Sequence, residues 1–393
     1  MNLLRVCFEG VKPYKNGKLE VDFFAKDRVT SDEEVHEIVQ PVYSQSVVVF
    51  SGINASGKTT TLKLLYLALN ILSGKPNILE GLENFNIFDE EVKITLYFQI
   101  DNMFYRLESL LLVGARIADK RGYVRSNVLY QFKQETLLGK KRKPSTKEEI
   151  FDFSAPDVVT NRESLDLESI KYLSPSSSIL QPIIQEKPVV VEQLIESIYS
   201  PKSDIGLGST YPEILQMFDS SIESLERDSM ADNSFYQLKF KKSPEAFPVH
   251  RDLIAHYLSA GTIKGQDVLL RAIEVLSRGG FLIVDEMENH LNKRLVGIII
   301  SLFTSSELNP HGATLIFSTH YIEVLDFLKR KDNVYFLVRD QDYNIESIKY
   351  SDRISRIENK KSEVFFSNYI KGTAPKYSEI LSFKKLLKGE LNA

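Results

Sequence analysis

The sequence predicts an α/β protein in which a mixed β-sheet is flanked by helices, with an antiparallel β subdomain and a helical insertion. First, the apolar, β-branched run Ser46–Phe50 leads into a glycine-rich turn and then into an apolar helix at Thr60–Leu72. Second, the β-rich runs Glu91–Ile100 and Met103–Val113 are separated by two turn-forming residues, as expected of an antiparallel hairpin. Third, residues 146–232 are rich in Ser, Pro and Glu and interrupt these patterns, which favours an insertion.

The order of these patterns divides the chain into four segments. They are residues 1–145 (amino-terminal part of the core with the β subdomain), 146–232 (mainly helical insertion), 233–350 (carboxyl-terminal part of the core) and 351–393 (helical tail). A third meander strand is expected at Val124–Phe132. Within the insertion, Thr160–Glu163 fits a capping box, and Pro212–Arg227 has helical periodicity with proline at its start.

Composition limits the class of protein. The 393 residues are 43% hydrophobic and 26% charged, which is ordinary for a globular chain with a sizeable core. The net charge of −4 gives no chain-wide field that would attract nucleic acid, and the single cysteine, Cys7, excludes an internal disulfide or a cysteine-rich metal site. No apolar run is long enough to span a membrane, so we expect a cytoplasmic protein with no membrane partner.

Two basic clusters are candidates for contact with a phosphate backbone. They are Lys140–Lys143 and the group Lys239, Lys241 and Lys242. We interpret them as a solvated linker and a solvated strand edge, because no stacking platform of aromatic residues accompanies them. Nucleic acid therefore stays an open partner.

The glycine-rich turn satisfies the pattern G-x-x-x-x-G-K-[ST] at Gly52–Thr59. Its backbone N–H groups and the following helix amino terminus suit phosphate oxygens, Lys58 reaches the β- and γ-phosphates, and Thr59 suits Mg²⁺. The strand before it and the helix after it strengthen the match. The predicted nucleotide-binding residues here are Asn54, Ala55, Ser56, Gly57, Lys58, Thr59 and Thr60.

Two later apolar runs end in residues that carry chemistry. Gly280–Glu286 is typical of a buried parallel strand, which would bring Asp285 beside the loop to hold Mg²⁺ and Glu286 to polarise the attacking water. Thr314–His320 is a second such run, and its histidine would contact the γ-phosphate or the attacking water at the same sheet edge. Lys58, Glu286 and His320 are thus the candidate catalytic residues.

A third motif, Leu258–Thr262, precedes an amphipathic helix. Ser259 and Gly261 place a hydroxyl and free N–H groups at the helix start, which makes a second anion site. Taken alone, this motif is better explained as an ordinary helix cap. The order of the motifs gives it more weight: phosphate loop, serine–glycine helix start, Asp-Glu strand and histidine strand.

This order resembles the ABC-type ATPases, and within them the stand-alone branch related to the OLD (overcoming lysogenization defect) proteins and the abortive-infection ATPases. The resemblance rests on GINASGKTT, SAGT, DEMENHL and FSTH, with the tail Asn368–Gly372 and Pro375. It implies an ABC-type P-loop ATPase core that binds ATP and Mg²⁺. It also implies a homodimer or higher homo-oligomer, in which the serine–glycine signature of one chain caps the γ-phosphate held by the other.

The resemblance assigns two further roles by position. A glutamine that touches Mg²⁺ in relatives is matched to Gln99, with Gln131 and Gln134 as rivals. A turn that helps two chains communicate is matched to Asn289–Leu291. ATP is favoured over GTP, because neither Asn-Lys pair of the chain is followed by the Asp of an Asn-Lys-x-Asp base reader.

The resemblance also implies a biological role, and it leaves an alternative. We expect the sensor or scaffold subunit of an antiphage system of the PARIS or Septu kind, which controls a separate effector protein, expected to be a nuclease, in response to a phage trigger protein. No metal-nuclease pattern follows His320, so the nuclease would be another chain. The alternative is a DNA-repair or chromosome-maintenance ATPase that clamps DNA in its ATP-bound dimer. A transporter subunit is disfavoured by the long insertion and by a signature that lacks Gly-Gln.

Overall fold

The computed structural model describes 17 strands and eight α-helices. The described residues are 1–30, 34–82, 85, 87–114, 130–140, 144–165, 173–184, 189–195, 211–228, 234–354, 360–367, 369–370, 372 and 377–391. The strands are β1 (Asn2–Val11), β2 (Lys18–Asp22), β3 (Val35–Val39), β4 (Val42–Gln45), β5 (Val47–Ser51), β6 (Phe88–Ile100), β7 (Met103–Val113), β8 (Tyr130–Lys140), β9 (Asp157–Asn161), β10 (Val190–Leu194), β11 (Ile222–Arg227), β12 (Phe235–Phe240), β13 (Phe247–His250), β14 (Gly280–Val284), β15 (Thr314–Thr319), β16 (Val334–Arg339) and β17 (Ile345–Lys349).

The α-helices are α1 (Lys58–Leu72), α2 (Leu180–Ile184), α3 (Pro212–Phe218), α4 (Ala260–Arg278), α5 (Lys293–Thr304), α6 (Tyr350–Arg353), α7 (Lys361–Phe366) and α8 (Tyr377–Leu391). Short 3-10 helices lie at Lys15–Gly17, Glu148–Phe151, Arg162–Ser164, Arg251–His256 and Ile322–Phe327. None of the helices in the described ranges is long and apolar enough to cross a membrane.

A mixed sheet forms the centre of the molecule. Its order is β10-β14-β15-β5-β16-β17, in which the first five strands are parallel and β17 pairs antiparallel at the edge. Every side chain of β5 and β15 is buried, which explains their continuous apolar runs. Because the strands are parallel, the carboxyl ends of β14, β15 and β5 meet at one edge of the sheet.

A second sheet and three helices, α1, α4 and α5, complete the core. The antiparallel sheet β2-β1-β6-β7-β8-β9 shares one apolar core with α1 and with one face of the central sheet. On the opposite face, α4 and α5 pack against β5, β14 and β15. The mixed α/β architecture and the antiparallel subdomain predicted from the sequence are confirmed. The third meander strand begins at Tyr130 in the described residues, and residues 124–129 of the expected strand lie outside them.

The expectation of a mainly helical insertion is wrong for the described part of 146–232. That part contains three strands, β9, β10 and β11, beside two short α-helices and two 3-10 helices. The run predicted as one helix, Pro212–Arg227, is divided: α3 ends at Phe218 and β11 begins at Ile222. The side chain of Asp219 accepts bonds from the N–H and hydroxyl of Ser221, at 2.9 and 2.6 Å, which turns the chain between them.

The insertion also contributes to the central sheet. Strand β10 pairs in parallel with β14, with Leu194 opposite Val284, so the sheet takes a strand from within the segment 146–232. The sequence did not reveal β10, because its run of three valines is too short for periodicity to distinguish a strand from a loop. The capping box lies one residue later than predicted, at Asn161–Ser164 and not at Thr160–Glu163, and it caps a 3-10 turn. Asn161 accepts from Ser164 N at 2.7 Å, and Ser164 Oγ accepts from Asn161 N at 3.2 Å.

Candidate functional site

The glycine loop joins β5 to α1 in a backbone that few residues can adopt. Gly57 has φ +102° and forms the cap of α1, and Ala55 has φ +59°. A Cβ on Gly52 would lie 2.4 Å from the Leu337 carbonyl oxygen, so only glycine fits against β16 there. Asn54 and Ala55 are exposed, whereas Thr59 and Thr60 are half-buried in the first turn of α1. One side of the loop therefore packs against β16, and the other side is exposed to solvent.

Lys58 lies buried inside this loop. Its Nζ donates to the carbonyl oxygens of Gly52 and Ile53, at 2.9 and 3.0 Å. Burial lowers the pKa of Lys58 to about 8, against the opposing effect of nearby carboxylates, of which Asp285 has the largest effect. A buried ammonium with a lowered pKa gains much from an anion, because the anion restores the solvation that burial removed.

Thr59 and Asp285 are brought together, although 226 positions separate them. Thr59 Oγ1 donates to Asp285 Oδ2 at 2.7 Å, and Ser318 Oγ donates to Asp285 Oδ1 at 2.5 Å. The backbone N–H of Asp285 donates to the Leu194 carbonyl at 3.0 Å, which ties this carboxylate to β10. Two oxygen ligands, a hydroxyl and a carboxylate, thus converge beside the glycine loop.

Glu286 and His320 are also brought together, at the ends of β14 and β15. Glu286 has φ +45°, a left-handed conformation held because its N–H donates to Ser318 Oγ at 2.8 Å. This turn directs its carboxylate to His320, with 3.3 Å between Glu286 Oε1 and His320 Nε2. The carboxylate is 39% exposed, so water reaches it.

A third carboxylate, Glu288, completes this cluster and was missed by the sequence reasoning. It is only 7% exposed, and its Oε1 accepts the backbone N–H of His320. Its Oε2 is buried with no hydrogen-bond partner among the described residues. The third acid of DEMENHL was the signal that could have drawn attention to it.

The residues present fit a phosphate chain and Mg²⁺. The buried hydroxyl of Ser56 has no hydrogen-bond partner within the described ranges, and it lies in the glycine loop that would wrap the phosphates. Thr59 and Asp285 supply the one or two oxygen ligands that Mg²⁺ takes from protein when phosphates and water supply the rest. A pocket of about 440 Å³ opens beside the loop, lined in part by Asn54, His320 and Phe366.

Ser259 and Gly261 lie at the first turn of α4 and pack against the turn that follows β14. Ser259 caps the helix, accepting from Thr262 N at 3.0 Å. A Cβ on Gly261 would lie 2.4 Å from the carbonyl oxygen of His290, whose φ is +65°. Lys264, one turn on, donates to the Glu286 carbonyl at 2.8 Å. The signature motif of a chain thus contacts the Asn289–Leu291 turn and the end of β14 in that same chain.

The structure does not bring Gln99 to this site, and the prediction for it is wrong in position. Gln99 ends β6 in the antiparallel sheet, where its Oε1 accepts from Asn2 Nδ2 at 2.9 Å. The opposite end of β1 is the one near the loop, because Tyr14 bonds Thr61 of α1 at 2.7 Å. Gln99 pairs with Asn2 at the start of β1, and the ten residues of this strand, at about 3.3 Å each, span about 30 Å. Gln99 thus lies a full strand length from the end of β1 that is near the loop. The rivals Gln131 and Gln134 are exposed on β8 of the same sheet.

A different glutamine, Gln193, is near the site. It lies on β10, one residue before Leu194, whose carbonyl accepts the Asp285 N–H. Glu192 bonds Arg271 of α4, so the alternation of a strand turns Gln193 to the opposite face, where α1 packs. Sequence reasoning missed it because the strand itself was not recognised.

Fold and site together define an ATPase domain of the P-loop class: a glycine loop after a buried strand, with an acid and a histidine at the ends of neighbouring strands. The chain belongs to the family described as "AAA domain, putative AbiEii toxin, Type IV TA system", which matches residues 47–326. No curated protein matches the sequence.

Two solved structures are similar over most of the chain. The SMC head domain from Thermotoga maritima is 11% identical, with a TM-score of 0.41, covering 89% of this chain and 99% of that one. The recombination mediator protein RecF-ATPrS of the RecFOR pathway is 10% identical, with a TM-score of 0.35, covering 88% and 98%.

Proposed function

We propose that this protein hydrolyses ATP to ADP and phosphate, and that ATP-dependent assembly of its chains controls a separate effector in defence against phage. One observation carries the enzymatic part. A continuous set of hydrogen bonds runs from Thr59 through Asp285 and Ser318 to Glu286, and Glu286 contacts His320. A glycine turn with only a structural role does not require polar side chains from three strand ends to be hydrogen-bonded to one another.

Each residue has a separate task in this proposal. The loop N–H groups and Lys58 bind the β- and γ-phosphates, and Thr59 with Asp285 holds Mg²⁺. When bound, the ion neutralises charge on the phosphates. Lys58 gives up its bonds to the loop carbonyls of Gly52 and Ile53 when it turns to phosphate oxygens.

Glu286 orients the attacking water and accepts its proton. The water oxygen forms a bond to the γ-phosphorus as the bond from that phosphorus to the ADP oxygen breaks. His320 lies within 3.3 Å of the Glu286 carboxylate, so it positions that carboxylate and contacts the γ-phosphate. ADP and phosphate then leave separately.

We propose further that each ATP site is shared by two chains. Ser259 and Ala260 are exposed at the start of α4, so a second chain can reach this helix amino terminus. Ser259→Arg is expected to block hydrolysis and spare ATP binding, whereas Lys58→Ala blocks productive phosphate contact.

Mixing these two inactive proteins tests the shared site. A mixed dimer contains one intact pair, the loop of the Ser259→Arg chain facing the signature of the Lys58→Ala chain. Phosphate release should therefore return to a measurable fraction of the wild-type rate on mixing. A mixture as inactive as its two components would contradict a shared site.

The defence role rests on the resemblance to the abortive-infection branch, and the description of the matching family as a putative AbiEii toxin supports it. In this role the chain senses infection through a phage trigger protein and releases a partner, expected to be a nuclease. The test is to isolate tagged Glu286→Gln protein with ATP from its native cell, and to identify by mass what comes with it. An effector protein supports the proposal, and its absence under every nucleotide condition counts against it.

The competing function, a DNA-clamping repair ATPase, predicts a different result in the same preparation. DNA would accompany the protein, turnover would rise with DNA, and binding would fall steeply with salt. One of the basic residues that suggested such contact is engaged elsewhere, because Lys239 pairs with Glu223 at 2.8 Å. Turnover unchanged by any DNA would remove this alternative.

A further inference from the structure

The hairpin between β16 and β17 lies on the opposite side of the glycine loop from the reacting groups. In the central sheet, β5 carries the loop, β15 and β14 lie on one side of it, and β16 and β17 on the other. Asp285, Glu286 and His320 mark the first side as the γ-phosphate end. A nucleoside triphosphate is a linear chain of groups, so its nucleoside leaves the loop on the second side, toward the hairpin.

The hairpin is built onto the loop itself. Arg339 Nε donates to the Ala55 carbonyl at 3.1 Å, and its Nη1 donates to the Tyr343 carbonyl at 2.6 Å. From below, Ile345 fills the space beside Gly57, where a Cβ would lie 2.4 Å from Ile345 Cδ1. A planar guanidinium thus joins the outer part of the loop to the hairpin tip, so their separation is fixed before any ligand arrives.

The tip of the hairpin carries an exposed aromatic ring. Tyr343 is 71% exposed and has φ +63°, a left-handed conformation that costs a tyrosine about 1 kcal/mol. Asp340 enforces the turn, accepting from the N–H groups of Asp342 and Asn344 at 2.9 and 2.8 Å. An exposed aromatic residue on a strained but rigid turn is the kind of feature that is kept for a ligand.

We propose that the hairpin tip is the subsite for the nucleoside, with the purine ring of ATP stacked on Tyr343 beside the Arg339 guanidinium. The inference rests on the proposed ATP binding at the glycine loop and adds the residues that recognise the other end of the molecule. Stacking on a tyrosine and a guanidinium suits any purine, because each ring presents a π-face. Affinity for the nucleoside therefore comes from the hairpin, and affinity for the phosphates comes from the loop.

Calorimetric titration with two ligands separates these contributions. Mg²⁺–ATP carries phosphates and a purine, whereas inorganic tripolyphosphate with Mg²⁺ carries phosphates alone. All proteins carry Glu286→Gln so that ATP is not consumed. Tyr343→Ala removes the ring, Tyr343→Phe keeps it, and Tyr211→Ala removes another exposed tyrosine, 46% exposed, from a different part of the chain.

We expect Tyr343→Ala to weaken ATP binding about tenfold, which is the size of one base–aromatic stack, and to leave tripolyphosphate binding unchanged. Tyr343→Phe and Tyr211→Ala should bind both ligands as the parent does. Unchanged ATP binding by Tyr343→Ala, or an equal loss for both ligands, would overturn the subsite while the phosphate loop stands. A parent protein that binds neither ligand would overturn the proposed ATP site and the subsite with it.

Discussion

Two buried carboxylates in different parts of the molecule show how a structural site differs from a functional one. Glu135, on β8, is 2% exposed and accepts from Arg162 Nη1, Ser178 Oγ and Ile179 N, at 2.6, 2.7 and 3.0 Å. Glu288, after β14, is 7% exposed, yet one of its oxygens has no partner among the described residues.

The backbone is also regular around Glu135 and strained around Glu288. Glu135 lies in a strand that pairs along its length with β7, whereas Glu288 lies between Glu286 and His290, which both have positive φ. In the first region the polar groups satisfy one another and join β8 to the segment before α2. In the second, strain and an unsatisfied oxygen are held in place by packing, which leaves them available to a ligand.

The largest expected effect is on Glu286, in the strained region. Glu286→Gln should lower the rate of phosphate release by about 10²–10⁴-fold, because the amide does not accept a proton from water. Binding of ATP should persist, since the loop and Lys58 are unchanged. Phosphate release at the wild-type rate would rule out Glu286 as the general base.

Glu135 should respond in the opposite way. Glu135→Ala leaves Arg162, which is 17% exposed, without its partner, and we expect the free energy of unfolding to fall by about 3–5 kcal/mol. The folded fraction should still bind and hydrolyse ATP. Urea unfolding and phosphate release measured on the same preparation separate the two quantities. A variant with normal stability and lost turnover would reverse the roles assigned to the two regions.

The lowered pKa of Lys58 predicts a pH dependence of nucleotide binding. Below pH about 8 the ammonium is charged and ready for phosphate, whereas above it the ligand-free protein must take up a proton to bind. The dissociation constant for ATP should therefore rise by up to about tenfold per pH unit above pH 8.

Stability of the ligand-free protein should show the opposite sign. Since the native pKa of Lys58 is below its ordinary value of 10.5, the unfolded state binds more protons between pH about 8 and 10.5. The contribution of Lys58 to the free energy of unfolding should thus increase with pH over this window. The lowered pKa is checked by calorimetric titration of the protein with ATP in buffers of different ionisation enthalpy, which detects proton uptake on binding. Absence of proton uptake at pH 9 would contradict the lowered pKa of Lys58.

The smallest expected effect is on Glu288. Glu288→Ala removes the acceptor for the His320 backbone N–H and should lower turnover about tenfold by displacing the histidine that contacts Glu286. Glu288→Gln retains that acceptor and should recover most of the rate. Equal rates for the alanine and glutamine variants would show that the hydrogen bond to His320 has no part in turnover.

Much of the architecture follows from local patterns. The strands β5, β14 and β15 and the helix α1 were all predicted, because each combines a continuous apolar run with a clear turn or glycine signal. Helical content in 146–232 was overestimated, because Pro212–Arg227 satisfies a helical pattern over α3 while β11 is stabilised by pairing with β12. Such pairing is a long-range contact, which a local pattern does not contain.

The glycine loop and the residue types of the site follow from the sequence alone, since the spacing of glycines, lysine and carboxylates is a local property of the chain. The tertiary structure decided which residues meet. It placed β10 beside β14, which set Gln193 near Asp285 and left Gln99 in the other sheet, at the end far from the glycine loop. It also turned Glu288 inward and brought Tyr343 beside the loop, because strand order in a sheet is set by the packing of the whole core.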